Sequence, residues 1–270
     1  MSRIAGVFAN LRAQGRAALI PFVEAYDPNR ETSLALLRGM AENGADIIEI
    51  GVPFTDPMAD GPTIQAAGRR ALEAGASLAG VLGLVREFRA GNAHTPLVLM
   101  GYLNPILSYG VARFCADAAT AGVDGLIVVD LPTEEADLLL PDAAKNELDV
   151  IRLIAPTTSD ARLPLVLAGS SGFVYYVSIT GITGTRTASA ADLARDIPRI
   201  RAVTNLPIAV GFGVRTPEQA AVVAQYADAA IVASALIEKL CKSDVETVLK
   251  DVAALSAGIR GAGKAHAPTL

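Results

Sequence analysis

Eight short apolar runs, the helix-like segments between them and a length of 270 residues predict an α/β chain. The predicted fold is a single (β/α)8 TIM barrel with an N-terminal helix and an extra helix after strand two, for which roughly 250 residues suffice. The runs are residues 18–23, 46–50, 96–100, 125–129, 150–154, 173–178, 207–210 and 228–232. They are apolar on both faces, as parallel strands covered by helices must be.

Taken in order, residues 1–15 set Arg3 and Arg12 among apolar positions, as a short amphipathic helix does. They lack the basic-then-apolar order of a signal peptide. Asn43-Gly44 before the second run and Ala121-Gly122 before the fourth are the turn chemistry of a helix giving way to a strand. The longest interval, between Ile50 and Pro96, holds a loop and two helical patterns, 62–75 and 78–90. A doubly wound sheet is the competing arrangement; eight strand-helix units without a second compositional zone favour the closed barrel. The domain is assigned to residues 1–257, and the Gly/Ala-rich stretch 258–270 is expected to be a disordered tail.

Composition excludes several functions. Hydrophobic residues make up 51%, charged residues 19%, and the net charge is −5, without a basic run to meet a nucleic acid. No apolar stretch reaches the ~18 residues of a membrane helix. Two distant cysteines, Cys115 and Cys241, read as reduced thiols of a cytoplasmic protein. The histidines are His94, ahead of the third strand, and His266 in the tail, so neither a His-assisted nucleophile nor a His-based zinc site is expected. None of Lys145, Lys239, Lys242, Lys250 and Lys264 stands at a strand end, which removes Schiff-base chemistry. Carboxylate acid–base chemistry remains.

Catalytic groups of barrels sit at the C-terminal ends of strands and in the loops that follow. Glu49 interrupts the second run at that end, where lost solvation raises a carboxyl pKa toward the working range of a general acid–base. A strand-end Glu paired to an Arg would look the same. Asp60 follows in a loop stiffened by Asp56-Pro57 and Gly61-Pro62, although Asp-Gly-Pro also serves as a plain turn before a helix. Gly211-Phe212-Gly213 and Ala233-Ser234-Ala235 end the last two runs, where barrels frequently bind phosphate. The stretch from Ser178 to Arg186, with four hydroxyl residues and two glycines, suits a lid over a polar ligand or an ordinary solvated loop. Phe22, Met100, Tyr102, Tyr175 and Phe212 stand where a flat apolar slot would form.

The run from Glu49 to Gln65, EIGVPFTDPMADGPTIQ, closely resembles the signature of the tryptophan synthase alpha chain family. Tyr102-Leu-Asn104-Pro105, Asp130-Leu-Pro132, Gly181-Ile-Thr183-Gly184 and Gly211-Phe-Gly213 follow in the family's order, and the resemblance spans residues 20–240. It implies a lyase that splits indole-3-glycerol phosphate into indole and glyceraldehyde 3-phosphate in tryptophan biosynthesis. By the same resemblance Glu49 protonates indole C3 and takes the side-chain hydroxyl proton, and Asp60 serves the indole N–H. Tyr175 lies beside the reacting group, and Thr183 closes over Asp60. Phe22, Met100, Tyr102 and Phe212 flank the ring, and Gly184, Gly213 and Ser234 hold the phosphate. It further implies no cofactor or metal in this chain and a pyridoxal-phosphate beta subunit as partner in an α2β2 assembly. A free-standing lyase and a catalytically silent activating barrel are the alternatives.

The loop after strand three carries Leu103, Asn104, Ile106 and Leu107, and its aliphatics predict a buried contact with that partner beside Pro132 and Asp56-Pro57. An inward-folded cap on the core is the competing reading. Two departures stand out. Glu24 and Tyr26 occupy places where the family usually has Thr and Gly, putting a bulky ring near the pocket mouth, and Ala233 replaces a usual Gly at the phosphate.

Overall fold

The computed structural model describes residues 2–178, 189–211 and 213–262. Its strands are β1 (Ala18–Glu24), β2 (Ile48–Gly51), β3 (Leu97–Gly101), β4 (Gly125–Val128), β5 (Asp149–Val150), β6 (Arg152–Ile154), β7 (Val174–Val177), β8 (Ile208–Gly211) and β9 (Ala229–Val232). All pair in parallel, in the order β5-β4-β3-β2-β1-β9-β8-β7-β6. β5 and β6 are the two halves of one expected run, parted at Ile151, whose N–H still donates to Leu126 O at 2.9 Å. The ends of the strand order are therefore one continuous segment, and the sheet closes on itself.

The early helices are α1 (Arg3–Ala13), α2 (Arg30–Glu42), α3 (Pro62–Glu73), α4 (Leu78–Arg89), α5 (Leu103–Tyr109) and α6 (Val111–Ala121). After a 3-10 turn, Thr133–Leu138, come α7 (Leu140–Lys145), α8 (Leu163–Leu167), α9 (Ala190–Arg201), α10 (Pro217–Tyr226), α11 (Ser234–Leu240) and α12 (Val245–Gly261). Their starts are written in the sequence. Ser2, Asn29, Ser77 and Asp244 accept amide hydrogen bonds as N-caps, and Thr216 with Gln219 and Ser189 with Asp192 form capping boxes. α6 stops at Gly122, whose φ of 97° few other residues tolerate.

Period-two alternation sorts side chains into two cores. Ile20, Ile47, Val98, Ile127, Ile151, Phe173 and Ile231 fill the barrel interior, and Leu19, Ile48, Ile50, Leu99 and Val210 meet the helices outside. α1 lays Ile4, Phe8 and Leu11 against the interior set and so stoppers the N-terminal end of the barrel. That end is pinned by three aspartates that precede strands. Asp46 accepts from Leu19 N (2.9 Å), Asp124 from Leu97 N (2.7 Å) and Asp228 from Ile208 N (2.9 Å). Arg16 pairs with Asp46, Arg3 and Arg89 with Asp124, and Arg201 with Asp228, so the buried charges are met.

The expected tail begins too early. α12 runs through Gly258 to Gly261, because Ile259 is buried and Gly258 packs so closely on Pro217 that a Cβ would meet its backbone.

Candidate active site

Glu49 faces the barrel interior from β2, in register with Phe22 of β1 and Val98 of β3, while Ile48 and Ile50 face out. It is 1% exposed, and its Oε2 has no hydrogen-bond partner among the described residues. Burial, reinforced by the charge of Asp60, lifts its pKa from 4.5 to about 8.

Asp60 ends the loop after β2, just before the Gly61 cap and Pro62 of α3. The loop is braced. Asp60 N donates to Pro57 O (3.1 Å), Gln65 Nε2 to Asp60 O (2.9 Å) and Ala59 N to Tyr102 Oη (3.1 Å), and the Phe54 ring packs on Tyr102 at 5.3 Å. Burial raises the Asp60 carboxyl from 3.8 to about 6, against the opposing pull of a hydrogen bond from Tyr102. Asp60 thus bears on Glu49, and the two carboxyls titrate on opposite sides of neutral.

Tyr175 points inward from β7, with its ring laid over Gly211, where any Cβ would collide with it. Burial, then the charges of Glu49 and Asp60, push its phenol well above the ordinary range. Phe22 packs with Ile64, Ala67, Met100, Ala233 and Ile237, an apolar wall contributed by β1, β3, α3 and α11. Gly213 takes a φ of 82°, and Ser234 opens α11. Thr183, Gly184 and Phe212 lie outside the described residues.

The rim residues Asp56, Asn104 and Pro132 are exposed and Pro57 is half-buried. Ile106 is not at the surface. The expected loop is the helix α5, whose turn places Ile106 in the outer core at 5% exposure and leaves Leu107 48% exposed in its stead. Tyr26 is likewise misplaced by the sequence reading. With φ at 70°, it turns out of the barrel interior into the outer core and sets its hydroxyl over Gly80 of α4.

Two roles were missed. Asp130 accepts from Leu103 N at 2.8 Å and so caps α5, which explains its place beside the Tyr102 motif. Glu24 is the last residue of β1 and 6% exposed, on the same face as Phe22, as simple alternation along the strand would have shown. Next to it Asp27 is held by Arg70 in two bonds of 2.7 and 2.8 Å, which tie the loop after β1 to α3.

A family model described as "Tryptophan synthase alpha chain" matches residues 8–263. The chain belongs to that family. It is 72% identical to the tryptophan synthase alpha chain of Acidiphilium cryptum over 98% of this chain and all of the relative, and 64% identical to that of Granulibacter bethesdensis over 97% and 98%. Among solved structures, tryptophan synthase subunit alpha of Legionella pneumophila superposes with a TM-score of 0.88 at 40% identity, covering 97% and 98% of the two chains. A Mycobacterium tuberculosis tryptophan synthase structure gives 0.89 at 40% identity, covering 96% and 98%. The fold is accordingly the alpha-chain TIM barrel, and the chain is a lyase that cleaves indole-3-glycerol phosphate in tryptophan biosynthesis. Among the described residues no helix is long and apolar enough to cross a membrane.

Proposed function

We propose that Glu49 and Asp60 carry this cleavage as a matched acid and base. The observation that supports the assignment is the split in their titration, about 8 against about 6, between a buried and a half-buried carboxyl at one mouth. At neutral pH Glu49 enters protonated and Asp60 enters charged. Glu49 gives its proton to indole C3 while Asp60 takes the N1 proton, leaving the ring as its C2=N1 tautomer. The Glu49 carboxylate then removes the side-chain hydroxyl proton and the carbonyl of glyceraldehyde 3-phosphate forms. The C3–carbon bond breaks, its electrons restore the ring, and N1 recovers its proton from Asp60. Each carboxyl ends as it began.

Tyr175 borders both carboxyls, while Phe22, Met100, Tyr102 and Phe212 flank the ring, and Thr183 closes over Asp60. Gly184, Gly213 and Ser234 hold the phosphate, a role suited to the φ of Gly213 and to the start of α11. The partner is the beta subunit, in an α2β2 assembly, docked on the mouth through Asp56, Pro57, Asn104 and Pro132. Among the large apolar residues exposed in the described chain, Met58 and Leu107 lie on the segments directly after β2 and β3, at this same end. Apolar surface gathered at one end marks a contact face. A cytoplasmic location accords with Cys115 and Cys241 as free thiols.

The test is indole release from indole-3-glycerol phosphate by the isolated chain, with and without a beta subunit. Slow release that the beta subunit accelerates is expected. Fast release without it would make the chain free-standing, and no release in either case would make it catalytically silent.

A further inference from the structure

Glu24 has no part in the steps above. Along β1, Ile20 and Phe22 face inward and Leu19 and Val23 outward, so Glu24 follows Phe22 on the inner face, one step nearer the mouth. Across the ladder it meets Gly51, and the missing side chain there makes room for it. A Cβ on Gly51 would collide with both the Glu24 carboxyl and the tip of the Phe22 ring. On the other side the carboxyl faces Gly68 of α3, again a residue without a side chain. The group is thus seated in a space made by two glycines and shared with the ring edge of Phe22.

No described residue gives this carboxyl a hydrogen bond, although it is 6% exposed. The charged groups bearing on it are Asp60 from the loop after β2 and Asp27 from the loop after β1. Arg70 of α3 gives two donors to Asp27. Burial first, then these two like charges, hold Glu24 well above the usual carboxylate range, and a carboxyl in either protonation state has acceptors to spare. A buried polar group left without a partner among the described residues calls for one, and two of its neighbours, Phe22 and Asp60, belong to the site.

We propose that Glu24 is a specificity-determining residue, a hydrogen-bonding patch in the otherwise apolar wall that admits an indole ring bearing a hydroxyl or amino group on its six-membered ring. The inference rests on the lyase reading. Glu49 at C3 and Asp60 at N1 orient the five-membered ring, which leaves the six-membered edge to Phe22 and its neighbour Glu24. An apolar isostere of that substituent forfeits the bond and strands the carboxyl, so the site discriminates between the two.

The experiment runs the reaction toward condensation, with glyceraldehyde 3-phosphate and hydroxyindoles or methylindoles substituted in turn at each of the four six-membered-ring carbons. In each protein the reading is the ratio of kcat/KM for the hydroxyl to that for the methyl at the same position, which cancels any general damage by a substitution. For at least one position, the wild-type ratio should exceed that of Glu24→Leu at least tenfold, and Glu24→Gln should retain most of it. Equal ratios in wild type and Glu24→Leu, or a wild-type preference for methyl at every position, would overturn the inference while leaving the lyase reading intact. Failure of the wild type to condense plain indole would overturn both.

Discussion

Glu49 is expected to weaken the fold that carries it, and the effect has a definite pH signature. Folded Glu49 gives up its proton at about 8, against 4.5 for an ordinary glutamate. Between those values the folded chain keeps a proton that the unfolded chain has released. Stability therefore falls as pH rises, by about 1.4 kcal/mol per unit. Across the window the loss sums to about 5 kcal/mol; it is absent below 4.5 and complete above 8. Glu49→Gln keeps the shape and removes the titration, and the fixed cost of burying an amide is the same at every pH. Thermal unfolding of wild type and variant, followed by circular dichroism from pH 5 to 8, should show the variant gaining on the wild type. With about 2–4 °C per kcal/mol for a chain near this size, the gap should widen by on the order of 10 °C. In the same protein, indole release should fall by about 10²–10⁴. Parallel melting curves would refute the buried, neutral Glu49 on which the mechanism depends.

The same assignment gives a bell-shaped rate profile, rising as Asp60 ionises near about 6 and falling as Glu49 ionises near about 8. Asp60→Asn should lower turnover and erase the acid limb, and an unchanged limb would move the base elsewhere. Ile106→Asp should cost the isolated chain several kcal/mol of stability, since it buries an unpaired charge in the outer core, and a denaturant midpoint equal to wild type would return Ile106 to the surface.

The barrel was legible because β-rich runs with two apolar faces admit few other homes, and because Gly44 and Gly122 mark where helices end. The Glu49 and Asp60 pair was legible because a charge at the end of an apolar run and a proline-stiffened loop both break local pattern. Ile106 was misjudged because α5 is only seven residues long, too short for its period to separate an inward from an outward aliphatic. Tyr26 was misjudged because a left-handed backbone reverses the direction that strand alternation implies. Glu24 stood out as a departure and alternation along β1 turns it inward, but its seat is made by absences at Gly51 and Gly68, contributed from β2 and α3. Spatial complementarity of that kind is not written at any one position.

The stopper formed by α1 bears on traffic as well as on packing. With Ile4, Phe8 and Leu11 sealing one end, the barrel is a blind cup. A freshly freed indole has no back door, and the thermal search of so small and greasy a molecule is confined to the mouth. Whatever sits on that rim becomes the first surroundings the product meets, so a docked neighbour collects it without having to compete against the open solvent at a second outlet.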